Sequence, residues 1–319
     1  MRKHAASPTI LNVPQLLPRP RTNPFAVPRS SESLAASARI FDAPRPLRLW
    51  HLGSLDAPTV AAVWTLGFGW AAGVRLPHWV PLLLALTAWA VYIADRLLDA
   101  RTHLRTAPHR LRERHFFHWR NRHIFIPLGT AAACAAAWLV LTRMSSAIRA
   151  RDSVLCAAAL VYFTGVHSGR IRRRLPALLV SKELLVGVIF TAACALPAWF
   201  HGQFAGTGSP EWPLLGPVLL FALLAWLNCH LIELWETNTP RLSGPHPAVA
   251  LALAGAILAL SLAAVQQPAT AALAACGAAG ALLLALLDRL RSHLAPVALR
   301  AAADLVLLTP LLLFSLPTR

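Results

Sequence analysis

Charged residues are scarce in this chain. Only 13% of the 319 residues are Asp, Glu, Lys or Arg, whereas 56% are hydrophobic. A soluble domain usually carries about 25% charged residues. The composition therefore excludes an ordinary soluble globular domain.

Several chemical signatures are also missing. The five cysteines, Cys134, Cys156, Cys194, Cys229 and Cys276, are scattered and form no CxxC pair. This spacing argues against a disulfide framework and against a cysteine-ligated metal. The chain contains no P-loop, Gly-rich dinucleotide turn, nucleophile elbow or HExxH sequence. Nucleotide-dependent and serine-based chemistry therefore lack support.

Long apolar runs are the dominant feature of the sequence. A run of about 20 apolar residues is long enough to cross the hydrocarbon layer of a membrane as a helix. Such runs cover residues 58–74, 77–94, 124–142, 153–169, 183–200, 213–234, 247–265, 269–287 and 296–317. They lack the two-residue alternation of a membrane β-barrel. We therefore expect an all-α polytopic membrane protein with nine transmembrane helices.

Basic residues are distributed unevenly between the two sides of this predicted bundle. With the N-terminus inside, the cytoplasmic segments carry 24 Lys and Arg residues and the opposite side carries 5. Positive charge is typical of cytoplasmic loops. We therefore predict an integral protein of the bacterial cytoplasmic (inner) membrane, with its N-terminus in the cytoplasm. The net charge of +17 then reflects topology and contact with anionic membrane lipids, and we expect no nucleic-acid partner.

Two segments of the chain are polar. Residues 1–48 are rich in Pro, Arg and Ser and have no sustained apolar period, which predicts a disordered basic cytoplasmic tail. Residues 49–319 would form the nine-helix transmembrane domain. The connection over residues 96–123 interleaves Arg and His, and long connections in compact folds are often functional.

The 13 acidic residues are also concentrated on one side. Two of them lie near the outer helix ends. Eight lie at or near cytoplasmic helix ends: Asp56, Asp95, Asp99, Glu183, Glu233, Glu236, Asp288 and Asp304. Because the positive-inside rule does not account for acidic residues, this asymmetry predicts a polar cavity that opens to the cytoplasm.

Asp95 and Asp99 form the first acidic arm of this predicted cavity. They follow an apolar run and are four residues apart, so on a helix they share one face. Carboxylates at the edge of the lipid are costly unless something binds them, and Mg²⁺ prefers oxygen ligands supplemented by substrate phosphates. We predict both residues to be metal-binding and catalytic. The alternative is a solvated helix end in which they pair with Arg96 or Arg101.

Asn228, Glu233 and Glu236 form the second arm, at the end of the sixth apolar run. Asn228 and Glu236 are eight residues apart and would lie on nearly the same helix face. Polar residues within an apolar span are costly unless they face a cavity or the bundle interior. We predict that these three residues contribute to the metal site. The alternative is a set of hydrogen bonds between helices.

Basic residues could bind the phosphates that accompany such a metal. We predict this role for Arg105, Arg110, Arg172 and Lys182, because guanidinium groups bind phosphate oxygens in pairs and lysine supplies a point charge. Lys182 also begins an apolar run beside Glu183, and we predict it to be catalytic. The alternative for Lys182 is an interfacial lysine that extends towards water.

These features resemble the UbiA superfamily of membrane prenyltransferases. Members of that superfamily have nine transmembrane helices and two acidic motifs, each at a cytoplasmic helix end. The resemblance covers about residues 45–317. It rests on the DxxxD sequence Asp95-Arg96-Leu97-Leu98-Asp99, on Arg105 and Arg110 after it, on Tyr162, Arg172–Arg174, Gly187 and Phe190 in the family order, and on Asn228, Glu233 and Glu236 in place of the second motif. Val91 stands where the first motif has Asn.

The resemblance implies a UbiA-like bundle with a cytoplasm-facing polar cavity. It also implies transfer of a prenyl group from a polyprenyl diphosphate to an acceptor, whose identity the sequence does not specify. Mg²⁺ held by the first acidic arm, with help from the second arm, would grip the diphosphate. The predicted basic residues would neutralise the charge of the leaving group.

Three other functions are compatible with the same residues. Intramembrane ionisable groups also mark the pathways of transporters, although the sequence shows no repeated pair of Gly- or Pro-interrupted spans. A non-catalytic membrane protein is the second alternative. The third is a prenyl diphosphate phosphatase that would use the same diphosphate site with water as the acceptor.

Overall fold

The computed structural model describes residues 41–106, 112–168, 182–204, 212–237 and 246–315. Within these ranges the regular secondary structure is helical, with one isolated bridge between Phe41 and Leu294. The α-helices are α1 Arg45–Leu52, α2 Asp56–Ala71, α3 Trp79–Thr106, α4 Glu113–Arg120, α5 Arg122–Arg143, α6 Ser146–Ser168, α7 Lys182–Phe204, α8 Trp212–Glu236, α9 Pro247–Ala264, α10 Pro268–Leu290 and α11 Pro296–Val306. Two 3₁₀ helices, Arg291–His293 and Thr309–Ser315, flank α11. The expected all-α architecture is confirmed for the described residues.

Six of these helices are long and apolar enough to cross a membrane: α3, α5, α7, α8, α9 and α10. They fit an integral membrane protein, as the sequence predicts. The other three predicted spans coincide with α2, α6 and α11. Helices α2 and α11 have 16 and 11 residues, which at 1.5 Å per residue is shorter than the ~30 Å hydrocarbon layer. Helix α6 carries Arg149, Arg151 and Asp152 in its first turns.

The predicted N-terminal tail lies mostly outside the described residues. Its disorder over residues 1–40 therefore stays a prediction. The first described helix begins at Arg45, and Phe41 donates a backbone hydrogen bond to His293, while its carbonyl accepts one from Ala295. All described residues belong to one compact unit, residues 39–319.

The core of the bundle is built around Trp64 of α2. Its indole stacks on Phe221 of α8, with ring centroids 3.8 Å apart, and its Nε1 donates a hydrogen bond to the Leu307 carbonyl at 2.7 Å. Phe68, one turn later, packs against the same two rings. This aromatic cluster joins the N-terminal, central and C-terminal helices, which places their polar ends together.

Helix α7 packs closely against α8 because Gly187 lies at their contact. A Cβ atom at Gly187 would lie 2.9 Å from the Trp226 backbone nitrogen and 3.0 Å from the Ala222 carbonyl oxygen. Backbone atoms cannot move aside as a side chain can. The absence of a side chain at Gly187 therefore sets the separation of the two helices.

We expect Gly187→Ala to destabilise the protein by about 1–3 kcal/mol, the usual cost of overpacking a core. Gly129→Ala in α5 is the matched control, because its new Cβ would meet only the Ile93 side chain, at 3.1 Å. Both variants gain the same helix propensity. Thermal unfolding in detergent micelles should show a clear loss for Gly187→Ala and a smaller change for Gly129→Ala. Equal effects would contradict the proposed backbone contact.

Candidate functional site

Polar side chains from six helices meet at one end of the bundle, which we call the polar end. It comprises His51, Ser54, Asp56, Asp95, Arg96, Asp99, Arg112, Arg114, His115, His118, Asn228, Glu233, Glu236, Arg300 and Asp304. These residues come from the end of α1 and the turn after it, the start of α2, the C-terminal half of α3, α4 and the residue before it, the C-terminal part of α8, and α11. The contacts described below link the others into a network, and Asp95 lies one helical turn from Asp99 on α3.

The first acidic arm lies on α3 beside a buried arginine. Arg96, between the two aspartates, is only 4% exposed and its Nε donates a hydrogen bond to Ser54 Oγ at 3.2 Å. Asp95 is half-buried, and the Asp99 side chain is 38% exposed. The helix therefore turns its arginine into the bundle and leaves its carboxylates at the accessible edge.

Helix α4 connects the two acidic arms. His115 Nε2 lies 3.9 Å from Asp99 Oδ2 at the end of α3. Arg112, which directly precedes α4, forms ion pairs with Glu233 at 3.5 Å and with Glu236 at the end of α8. The sequence predicts residues 96–123 as a polar connection, and the structure shows that this connection brings both arms to the same end of the bundle.

The second arm is already paired with arginines. Glu236 forms ion pairs with Arg112 and Arg300, and Arg114 lies 3.9 Å from it. Both Glu236 and Arg300 have side chains that are about one-tenth exposed. Glu236 therefore holds guanidinium groups in place. Its spacing in the sequence did not indicate that its partners would be arginines.

Asn228 faces a different partner from the two glutamates. It is almost fully buried, and its Nδ2 donates a hydrogen bond to Asp304 Oδ1 of α11 at 3.1 Å. Asp304 Oδ2 in turn lies 3.3 Å from His51 Nδ1, which is 2.8 Å from Asp56 Oδ2. Sequence reasoning placed both aspartates at cytoplasmic helix ends but did not select them as site residues, and it missed His51.

Ser54 connects the first arm to α4. His118 Nδ1 is 2.9 Å from the Arg114 carbonyl oxygen, so this nitrogen must carry the proton. His118 Nε2 can then accept a hydrogen bond from the Ser54 hydroxyl, 3.3 Å away, while Ser54 Oγ accepts from Arg96. Ser54 adopts a φ of 55°, a left-handed conformation that is uncommon for non-glycine residues. The network compensates for this backbone strain.

The two histidines of α4 are neutral near pH 7. Burial and the neighbouring guanidinium groups of Arg114, Arg96 and Arg112 lower the pKa of His115 to about 2. Burial is also the main cause that lowers the pKa of His118, to about 4. These two histidines therefore add no positive charge to that of the arginines at the polar end.

The named groups of the polar end include six carboxylates and four guanidinium groups. In a setting of low dielectric constant, carboxylates favour a bound cation or a paired guanidinium group. The arginines at the same end favour an anion that accompanies it.

The predicted metal ligands do not gather into one tight group. Among the described residues, a single set of three or more His, Cys, Asp or Glu has its ligand atoms within 4.8 Å of one another, and this set is His51, Asp56 and Asp304. The predicted set of Asp95, Asp99, Asn228, Glu233 and Glu236 is instead spread across the polar end. Its role as a metal site stays a prediction.

Four of the predicted basic residues lie outside the part of the chain whose side chains the structure describes. They are Arg105, Arg110, Arg172 and Lys182. Their predicted roles in diphosphate binding and catalysis stay predictions. Arg96, Arg114 and Arg300, which the sequence analysis did not assign to the site, supply guanidinium groups at the polar end.

The described residues also form a groove of about 490 Å³ between α9 and α10, and this groove is not the predicted polar cavity. The groove is lined by Leu260 and alanines such as Ala256 and Ala275. The residues of α10 that line this groove are in the first half of that helix. The polar end lies instead beside the end of α8. This apolar groove therefore does not belong to the polar site.

The chain matches no protein-family model, no curated protein and no solved structure with which it was compared. The functional argument therefore rests on the residues of the polar end.

Proposed function

We propose that this protein is a Mg²⁺-dependent membrane prenyltransferase that resembles the UbiA superfamily. The supporting observation is that α4 and Arg112 before it contact Asp99 of α3 and both glutamates at the end of α8. Two acidic arms with arginines between them, at one end of an apolar bundle, suit a phosphorylated head group with an apolar tail. In this proposal α2, α6 and α11 also cross the membrane, which gives nine spans with the N-terminus in the cytoplasm.

The donors of the first arm fit magnesium. Asp95 and Asp99 are one turn apart on α3 and offer carboxylate oxygens at a partly accessible edge, the ligand type that Mg²⁺ prefers. When bound, Mg²⁺ would supply Lewis-acid stabilisation of the diphosphate charge. Glu233 and Glu236 are less available as metal ligands, because both form ion pairs with Arg112.

The arginines would hold the diphosphate. Arg112 and Arg114 flank the start of α4 and reach towards α8. Guanidinium groups bind phosphate oxygens in pairs, and groups fixed in advance stabilise developing negative charge without reorganising. Glu236 positions Arg112 and Arg300, and Arg105, Arg110, Arg172 and Lys182 complete this proposed anion site.

Product analysis tests the proposed reaction. Membranes that contain the full chain would be incubated with Mg²⁺, isotopically labelled prenyl diphosphates of several chain lengths and a lipid extract of the producing cells. We expect the label in a prenylated acceptor, which would be absent with chelator and in membranes without the protein. Release of free prenol or prenyl monophosphate alone would indicate a phosphatase. Uptake of label into vesicles without product would indicate a transporter. Either result would overturn the proposal.

A further inference from the structure

The strongest feature outside the proposed diphosphate site is the buried group of His51, Asp56 and Asp304. The three residues come from α1, α2 and α11, so residues far apart in sequence bring one imidazole and two carboxylates together. His51 and Asp56 are each 2% exposed. The Asp304 side chain is 17% exposed. One buried and one mostly buried carboxylate beside an imidazole are costly unless a positive charge compensates them.

The spacing of the ligand atoms suits a single cation. Ligands at 2.0–2.2 Å from a metal are about 2.8–3.6 Å apart in octahedral or tetrahedral geometry. His51 Nδ1 lies 2.8 Å from Asp56 Oδ2 and 3.3 Å from Asp304 Oδ2. All three ligand atoms lie within 4.8 Å of one another, a spacing that is compatible with one ion between them.

Unsatisfied buried atoms provide a second observation. His51 Nδ1 lies 2.8 Å and 3.3 Å from the two carboxylates but makes no well-aligned hydrogen bond to either of them. Asn228 Oδ1 is also buried without a partner, and its amide is directed at Asp304. Buried polar atoms normally have well-aligned partners, and a metal ion between the carboxylates would give the imidazole nitrogen one.

We propose that His51, Asp56 and Asp304, with Asn228 beside them, bind a divalent first-row transition-metal ion such as Zn²⁺ or Mn²⁺. Mixed imidazole and carboxylate ligands favour these ions over Mg²⁺, which prefers oxygen ligands and keeps its water. The site uses none of the carboxylates assigned above to Mg²⁺. Asn228 is the one residue that it shares with the second arm, so the metal site formed by His51, Asp56 and Asp304 would stand if the proposed prenyl transfer failed.

The competing occupant of this group is a proton. Burial lowers the pKa of His51, but the carboxylates of Asp304 and Asp56 outweigh burial and leave this pKa raised. An imidazolium between two carboxylates would need no metal. The two arrangements differ in metal content, so a direct measurement separates them.

The test measures bound metal in the purified full-length protein. The protein in detergent would be treated with chelator, dialysed against Zn²⁺ or Mn²⁺ and then against metal-free buffer, and its metal content determined by mass spectrometry. We expect about one ion per chain in the wild type. In His51→Ala and Asp304→Asn we expect an affinity at least about tenfold lower, because even outer-shell changes around metal sites cost 10–100-fold.

His246→Ala is the matched control. His246 also lies beside an aspartate, with its Nε2 3.2 Å from Asp288 Oδ2. The third group there is Arg291, 3.5 Å from the Asp288 carboxylate, whereas the third group of the proposed site is a second aspartate. This variant should retain the metal. Pulsed electron paramagnetic resonance of the Mn²⁺-loaded wild type should also show coupling to an imidazole nitrogen. This measurement uses the wild type alone, so it does not depend on whether any variant folds. A wild type without bound metal, or no nitrogen coupling, would overturn the proposal in favour of the proton.

Discussion

Replacing Asp99 with asparagine is expected to abolish the Mg²⁺-dependent binding of a prenyl diphosphate, and Asp95→Asn should do the same. Asparagine keeps the size of the side chain but removes the negative charge that a hard cation requires. Both aspartates are only partly buried, and the substitution preserves the shape of the side chain. We expect an affinity that falls by about 100-fold or more, the upper range for changes around metal ligands.

The control for this prediction is Asp152→Asn in α6. Asp152 also pairs with a basic residue, Arg151, at 2.7 Å, and both side chains are partly exposed. On the predicted topology it lies on the opposite side of the membrane. Isothermal titration with a short-chain prenyl diphosphate, with and without Mg²⁺, would compare the variants. If all of them bind like the wild type, Asp95 and Asp99 are structural residues.

Removal of Glu236 should cost more stability than removal of an exposed acid. Glu236 and Arg300 are about nine-tenths buried, and Glu236 also pairs with Arg112. Glu236→Ala leaves these guanidinium groups beside Arg114 without their shared partner. Breaking a buried ion pair in this way costs about 3–5 kcal/mol. Tryptophan fluorescence during denaturation in mixed micelles would measure the loss.

Glu113→Ala provides the matched comparison. Glu113 forms an ion pair with Arg48 in which both side chains are more than 40% exposed, and such surface pairs contribute about 0–1 kcal/mol. The double variant Glu236→Ala with Arg300→Ala should recover part of the stability that Glu236→Ala loses. A loss for Glu236→Ala as small as that for Glu113→Ala would mean that the glutamate does not anchor the arginines.

The helices could be predicted from sequence because membrane-type apolar runs are a local signal. Each of the nine predicted runs coincides with a helix in the described residues, and six of these helices satisfy the length and hydropathy of a span. Boundaries were predicted less well where polar residues continue a helix. The run predicted to end at residue 94 belongs to α3, which continues to Thr106.

The partners at the polar end could not be predicted, because they depend on contacts between distant parts of the chain. His51 meets Asp304 only after α1 and α11 have packed, and nothing near His51 in the sequence indicates a carboxylate so far away. The same holds for Glu236, whose position favoured a metal ligand and whose neighbours are arginines. The burial of Arg96 could not be predicted either, because a charged residue between two acids suggests a solvated helix end.

The most direct test of the central claim is equilibrium binding of a prenyl diphosphate to the purified wild-type protein, with Mg²⁺ and after its removal by chelator. Inorganic diphosphate and a prenyl alcohol would be the matched ligands, since each retains one half of the molecule. The account predicts saturable binding that requires both Mg²⁺ and the diphosphate group and is tighter when the prenyl chain is present. Binding that is equally strong with chelator, or equally strong for the alcohol, would contradict a metal-assisted diphosphate site at the polar end.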